Sequence, residues 1–168
     1  MASALTFRVP DEKDAAIIFH MLSRAWAPIK NLPDNPVPEG WEDDLKALEK
    51  QLLQQPVVRS NFRISEHNSI PVGVFQFNLV YGDNTAMVGY HCIMSEYRGK
   101  EFGKQQMLEM IRLVFANHID ALDAISYTHP YFAPALATYK EAGFQEVERT
   151  KLPGSKYEKL RLRVTRPR

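Results

Sequence analysis

The chain has 168 residues, with 21 lysines and arginines against 20 aspartates and glutamates for a net charge of +1, 45% hydrophobic residues and one cysteine. That length suits one domain, and a chain of this size buries roughly 70% of the surface it would expose unfolded, enough for a core without disulfides or structural metal. The near-neutral total argues against a general polyanion binder, the lone Cys92 excludes a disulfide framework and cysteine-rich zinc sites, and the longest unbroken apolar run, Ala15 to Phe19, falls far short of the roughly 18 residues of a membrane span. A soluble, cytoplasmic protein without a membrane segment or signal-peptide pattern is the expectation.

Leu5–Val9 reads as a short strand closed by Pro10. Asp11 then stands where an N-cap belongs, with Asp14 three residues on, and Ile17, Ile18, Met21 and Leu22 recur at helical spacing, which predicts a first helix. Four prolines between Trp26 and Trp41 predict a semi-rigid loop without regular structure, with an aromatic at each end. Leu45, Leu48 and Leu52 mark the apolar face of a second helix, largely opposite Glu42, Asp43, Asp44, Lys46, Glu49 and Lys50. From Val57 the period changes to two: Val58, Ser60, Phe62 and Ile64 alternate with Val57, Arg59, Asn61 and Arg63, which predicts that a strand begins there.

Glu66–Ser69 supplies a turn, Phe75, Phe77 and Leu79 mark a third strand, Gly82-Asp83-Asn84 a second turn, and Ala86–Met94 a fourth strand of an antiparallel meander. A long helix over about Phe102–His118 follows, then a short strand around Ala124–Tyr127 and a helix from Pro130 to Ala142 stopped by Gly143. Phe144–Lys151 and Tyr157–Val164 close the chain as a hairpin around Pro153-Gly154. The fourth and fifth strands flank one helix, so a right-handed crossover makes them parallel neighbours. The predicted fold class is α/β, with a mixed, mostly antiparallel central sheet flanked by helices in a single domain over residues 1–168.

The stretch Ile93–Lys104 leads from a strand into the long helix and is suited to a bound anion. Gly99 and Gly103 let the backbone approach a ligand, the first-turn amides of the helix lack intrahelical partners, and Arg98, Lys100 and Lys104 add positive charge. It is neither a nucleotide P-loop nor a dinucleotide fingerprint. His20, His67, His118 and His129 show no metal-ligand spacing with one another, and no metal is predicted. His91, on the same side of its strand as Ile93, is a candidate proton acceptor.

Tyr97-Arg98-Gly99-Lys100 and Gly103-Lys104, then a long helix, a short strand and Ala135–Phe144, resemble the GNAT superfamily of acyl-CoA-dependent N-acetyltransferases. The element order matches over nearly the whole chain, the motifs over about Ile93–Lys104 and Ala135–Phe144. The resemblance implies a GNAT-like fold with acetyl-CoA as co-substrate and an amine as acceptor. It also implies that Arg98 and the backbone amides of Phe102, Gly103 and Lys104 bind the pyrophosphate, with Gly99 and Lys100 in the same turn, and that the backbone around Ile93 holds the pantetheine arm and thioester. Tyr139 matches the tyrosine that assists departure of the thiolate. The Trp26–Trp41 loop and the His129–Phe132 segment would shape the acceptor pocket, and Cys92 has no evident activating partner in sequence, which favours direct attack over a covalent enzyme intermediate.

Two positions depart from the family pattern. In Q/R-x-x-G-x-G/A the first glycine is replaced here by Glu101, and Phe132 stands where an asparagine is often found. A carboxylate within about 5 Å of a phosphate would repel it by roughly 3 kcal/mol at an effective dielectric of 20. These departures motivate an alternative, a non-catalytic CoA-binding regulatory module. A second alternative rests on charge: residues 151–168 hold seven basic side chains against Glu158 alone, and Lys159, Arg161 and Arg163 alternate with Leu160, Leu162 and Val164. Such a basic strand leaves open a macromolecular acceptor, on a ribosomal protein or an aminoacyl-tRNA, and an exposed sheet edge would allow a homodimer.

Overall fold

The computed structural model describes residues 4–80 and 82–167. Its strands are β1 (Thr6–Arg8), β2 (Phe62–His67), β3 (Ile70–Val80), β4 (Thr85–Ile93), β5 (Ala121–Tyr127), β6 (Gln145–Lys151) and β7 (Glu158–Thr165). They are hydrogen-bonded in the order β1-β2-β3-β4-β5-β7-β6. The helices are α1 (Ala15–Trp26), α2 (Trp41–Gln54), α3 (Pro56–Ser60), α4 (Phe102–Ala116) and α5 (Ala133–Glu141). The result is the expected mixed sheet: β1–β2, β2–β3, β5–β7 and β6–β7 are antiparallel, and β4–β5 is parallel. The chain divides into two compact units, one holding residues through Leu32, Val37–Gln76 and Tyr90–Phe102, the other Pro33–Pro36, Phe77–Gly89 and the residues from Gly103 onward.

In the first unit, α1 starts where the sequence places it. The Asp11 side chain accepts from the Lys13 amide, and Asp14 reaches back to the Asp11 amide, a capping box that satisfies first-turn donors. Arg8 of β1 grips Asp14 at 2.6 Å and Glu66 of β2 at 2.8 Å, joining strand edge to helix start. Ile18 and Leu22 of α1, Leu48 and Leu52 of α2, Phe62 and Ile64 of β2 and Val74 of β3 form one buried cluster with Cys92 and Met94. Acidic Glu42, Asp43 and Asp44 occupy the first turn of α2, where the helix dipole favours them. The β2–β3 turn is a tight hairpin with Asn68 and Ser69 at φ +50° and +64°.

Two expectations need correction here. Pro56–Ser60 is helical, and the strand begins only at Phe62. The β-branched Val57 and Val58 suggested a strand, but Pro56 sits in the first turn with its φ already set for a helix, and Arg59 donates to the Leu52 and Leu53 carbonyls at the end of α2. The proline-rich connection is also partly regular. Ala27–Asn31 forms a 3₁₀ turn, because Pro28 falls in its opening positions where no amide hydrogen is needed.

In the second unit, Met107, Met110 and Val114 of α4, Leu122 and Ala124 of β5 and Leu160 and Leu162 of β7 are buried. The β4–β5 ladder runs from Thr85↔Ala121 to Met87↔Asp123 only, while β4 continues to Ile93 and β5 to Tyr127. Most of the basic residues of the closing hairpin have acidic partners drawn from distant sequence. Arg163 holds Asp123 through two bonds of 2.6 and 2.9 Å, Arg161 meets Glu148 at 3.1 Å, Arg166 meets Asp120 at 3.1 Å and Lys156 meets Asp34 at 3.2 Å. No helix among the described residues is long and apolar enough to cross a membrane.

Candidate functional site

Strand alternation on β4 sets two faces. Tyr90, Cys92 and Met94 pack into the α1–α2 cluster, whereas Ile93 joins Leu5, Val72 and Phe102 on the opposite face, the side His91 shares by parity. After a short 3₁₀ turn at Ser95–Tyr97, the Arg98 guanidinium folds back and donates from Nε to the Ile93 carbonyl at 3.2 Å. Arg98 thereby ties the end of β4 to the turn that leads into α4.

Gly99 and Glu101 lie in the left-handed region, at φ +75° and +61°. Glycine adopts this conformation freely, whereas for glutamate it costs about 1–2 kcal/mol. Glu101, where the family pattern has a glycine, thus takes a conformation that glycine adopts without strain, and its exposed carboxylate makes no ion pair among the described residues. Phe102 is 1% exposed and anchors the first turn of α4 in the core. Lys100 lies over the Tyr97 ring at 5.6 Å from its centroid. Gly103 has ordinary φ, and a Cβ added there would stand 3.4 Å from Thr138 Cγ2, so the start of α4 passes close to α5 one residue before Tyr139. Lys104 follows in the same helical turn.

Tyr139 is buried against Phe144, with ring centroids 5.4 Å apart, and burial pushes its phenol well above the usual tyrosine range. Burial also holds His91 down, to a pKa of about 4, so its imidazole is neutral at pH 7. Loss of hydration raises the Cys92 thiol to about 12, which leaves it inert as a nucleophile. His91 and Tyr139 fall in different units.

The proposed acceptor residues are all engaged. Trp26 and Trp41 meet at 6.0 Å, and Trp26 also packs on Tyr90 at 5.3 Å. Trp41 lines a cavity of about 140 Å³ with Phe19, Ser23 and Leu45. His129 is 6% exposed, accepts the Tyr131 amide on Nδ1 at 3.1 Å, and therefore carries its proton on Nε2, which donates to the Pro33 carbonyl at 3.0 Å. With both nitrogens bound to main chain, His129 holds the proline loop in place. Phe132 packs on Tyr127 and Tyr131, with centroids 5.3 and 5.1 Å away. Among the described residues, no group of three or more His, Cys, Asp or Glu side chains could hold a metal ion.

The sequence model of the acetyltransferase (GNAT) family matches residues 22–144. The chain belongs to the GNAT acetyltransferase family. No curated protein matches it. Among solved structures, it is similar to the PaiA N-acetyltransferase of Thermoplasma acidophilum in complex with coenzyme A, with 18% identity, a TM-score of 0.72 and coverage of 97% of this chain and 99% of that one. The aminoglycoside acetyltransferase AAC(6')-Ib in complex with coenzyme A and kanamycin superposes with 18% identity, a TM-score of 0.71 and coverage of 97% and 95%. A GNAT acetyltransferase from Bacillus anthracis gives 16%, 0.69, 98% and 96%. At these identities the likeness is one of fold.

One polar group of this GNAT domain escaped the sequence reading. Ser126 is buried on β5, and its hydroxyl has no hydrogen-bond partner among the described residues. The available signal was its position, since it follows Leu122 and Ala124 on the apolar side of the strand.

Proposed function

We propose that the chain is an N-acetyltransferase of one catalytic domain that moves an acetyl group from acetyl-CoA to an amine by direct attack. The observation that carries this reading is the turn before α4. Glu101, where the family pattern has a glycine, takes a left-handed φ of +61°, and Gly103 has no positive φ and a built Cβ no closer than 3.4 Å to its neighbours. Both facts support a backbone kept open for a ligand, at a helix N-terminus flanked by Arg98, Lys100 and Lys104. The residues present therefore fit CoA: the amides of Phe102, Gly103 and Lys104 would hold its pyrophosphate, and the edge of β4 beyond Met87 would pair with its pantetheine arm. When bound, acetyl-CoA supplies the activated acyl group.

The chain's own side chains set the chemistry. With its pKa raised, Tyr139 stays protonated, and it acts by hydrogen bonding to the departing sulfur more readily than by giving its proton outright. His91, titrating at about 4, is a weak base. Taking a proton from an ammonium of pKa near 10.4 would be uphill by roughly 9 kcal/mol, against about 5 kcal/mol for an α-amino group near 7.7. His91 therefore serves as a neutral hydrogen-bond acceptor, and amines that are already partly neutral are the favoured acceptors. Cys92 forms no covalent intermediate because its thiol stays protonated. The acidic partners of Lys156, Arg161, Arg163 and Arg166 reduce the basic face of the closing hairpin and favour a small acceptor over a nucleic acid.

Isothermal calorimetry with acetyl-CoA, followed by thiol-release assays over amines of graded ammonium pKa, tests this reading. Binding with turnover that favours low-pKa amines is expected. A chain that does not bind acetyl-CoA is not an acetyltransferase, and one that binds without releasing CoA thiol is a regulatory module.

A further inference from the structure

Trp26 and Trp41 are the chain's two tryptophans, and both belong to one aromatic wall in the first unit. Their rings are 6.0 Å apart at 60°, and Tyr90 of β4 packs on Trp26 at 5.3 Å with a tilt of 35°. Fully buried Phe62 stacks on Tyr90 at 6.5 Å, so the wall is backed by the core of its unit. Trp26, Trp41 and Tyr90 themselves are only partly buried. Among the described residues, neither indole N–H nor the Tyr90 hydroxyl has a hydrogen-bond partner. Leucine or phenylalanine would fill such positions equally well, whereas tryptophan and tyrosine also present electron-rich faces.

Asp44 stands three residues after Trp41 on α2, a spacing that puts both side chains on one face of the helix. Its acidic neighbours are taken. Glu42 pairs with Lys30 at 3.4 Å and Asp43 with Lys46 at 3.5 Å, whereas Asp44 has no ion pair among the described residues. Its charge reaches the wall: burial first, and the negative Asp44 after it, hold the Tyr90 phenol above the ordinary tyrosine value. Aromatic faces and an unpaired carboxylate attract the same kind of group, a cation carried on an apolar body. Asp44 would repel an anion, and a neutral apolar body would leave the carboxylate unused.

Resting on the acetyltransferase reading above, we propose that Trp26, Trp41, Tyr90 and Asp44 form a subsite for a second, cationic ammonium group of the acceptor, apart from the amine that is acetylated. The substrate class is then a diamine or an amine that also bears a quaternary ammonium. Such acceptors suit a site with a weak base. A positive charge elsewhere on the same small molecule lowers the pKa of the reacting ammonium by like-charge repulsion, so more of it is neutral and able to attack.

The test uses choline, which has no amine to acetylate, and its uncharged isostere with carbon in place of the quaternary nitrogen. Because both tryptophans lie in the wall, their fluorescence reads binding without acetyl-CoA or turnover. Choline is expected to bind the wild-type chain about 10-fold tighter than the isostere at low ionic strength. Asp44→Asn, at an exposed position, should cut that ratio about threefold, and Trp41→Leu should bring it close to one, with Trp41→Phe in between. The ratio is the readout, since general damage to the fold weakens both probes alike. In thiol-release assays choline should inhibit competitively against an amine acceptor. Equal wild-type affinities for the two probes, or a ratio untouched by Asp44→Asn and Trp41→Leu, overturns the cation subsite. Inhibition that is absent or not competitive overturns its assignment to the acceptor. A wild-type chain that transfers no acetyl group overturns the acetyltransferase reading, while the fluorescence ratio still decides the cation subsite.

Discussion

Gly103 and Thr138 approach so that a Cβ added to the glycine would stand 3.4 Å from the threonine Cγ2, an ordinary van der Waals separation. Gly103 is also in a helix, where alanine is preferred to glycine by about 0.5–1 kcal/mol. Folding alone would therefore select alanine, whereas a ligand drawn against the main chain selects glycine. Gly103→Ala is expected to keep or raise the Tm while weakening CoA binding by at least about tenfold, or 1.4 kcal/mol. Thermal unfolding and calorimetry on the same sample check both halves, and an unchanged Kd would remove the pyrophosphate from this turn.

Glu101 makes the complementary case, because its backbone is strained and its side chain is free. Glu101→Gly relieves a left-handed conformation costing about 1–2 kcal/mol but adds freedom to the unfolded chain, for a net gain of up to about 1 kcal/mol. Affinity for CoA should rise several-fold at low ionic strength and the gain should shrink in salt, as expected for the loss of an exposed like charge. Urea denaturation and calorimetry at two salt concentrations measure these effects. A Kd identical at low salt would place the carboxylate away from the phosphates.

The fold was legible where local signals and tertiary packing agree. Asp11 and Asp14 announce a helix start and form the capping box, and Leu45, Leu48 and Leu52 announce a buried face and are buried. Pro56–Ser60 was misread because two valines outweighed a proline, and the decisive contact, Arg59 on the carbonyls of α2, depends on where the preceding helix ends. In the closing hairpin, alternation correctly separates Leu160 and Leu162 from Arg161 and Arg163, but the acids that pair with these arginines come from β5 and β6. A one-dimensional charge count cannot show them. The candidate turn at Arg98–Lys104 stands out in sequence because glycine and basic residues cluster within a few positions, whereas the unpartnered Ser126 hydroxyl shows only once burial is known.

Burial of His91 makes stability depend on pH with a definite sign. The folded-state pKa of about 4 lies below the ordinary value of 6.5, so above pH 6.5 the imidazole is neutral in both states and imposes no penalty. As pH falls from 6.5 towards 4 the unfolded chain takes up a proton that the folded chain does not, and stability falls by up to roughly 3 kcal/mol before levelling off. His91→Gln should flatten that part of the profile relative to wild type. Urea unfolding from pH 7 to 4 provides the comparison, and equal slopes for the two proteins would mean that the imidazole is hydrated in the fold.

Asp123 is 2% exposed and is held by Arg163 at 2.6 and 2.9 Å, at the residue where the β4–β5 ladder ends. Asp123 is buried but Arg163 is about one-third exposed, so Asp123→Ala leaves an arginine that water can reach and should destabilise the fold by about 1.5–3 kcal/mol, the worth of hydrogen bonds to a charged group. The double change Asp123→Leu with Arg163→Met removes both charges and should recover most of that loss. Denaturant unfolding of the three variants decides whether the pair or the individual side chains matter. Equal losses in the single and double variants would assign the effect to packing.

In the role proposed for it, Tyr139 acts on the chemical step and little on binding. Its phenol is buried beside Phe144, and its raised pKa suits a hydrogen-bond donor to a sulfur that gains charge as the acyl group leaves. Such a bond strengthens as the reaction proceeds and adds little to ground-state affinity. Tyr139→Phe keeps the ring and removes only the hydroxyl, so kcat should fall about 10- to 100-fold, the scale of one transition-state hydrogen bond, while the Kd for CoA stays within about twofold. Stopped-flow thiol release with a low-pKa amine, paired with calorimetry, reads the two quantities separately. A variant that loses CoA affinity and leaves kcat intact would make Tyr139 part of the binding surface and require another donor for the departing sulfur.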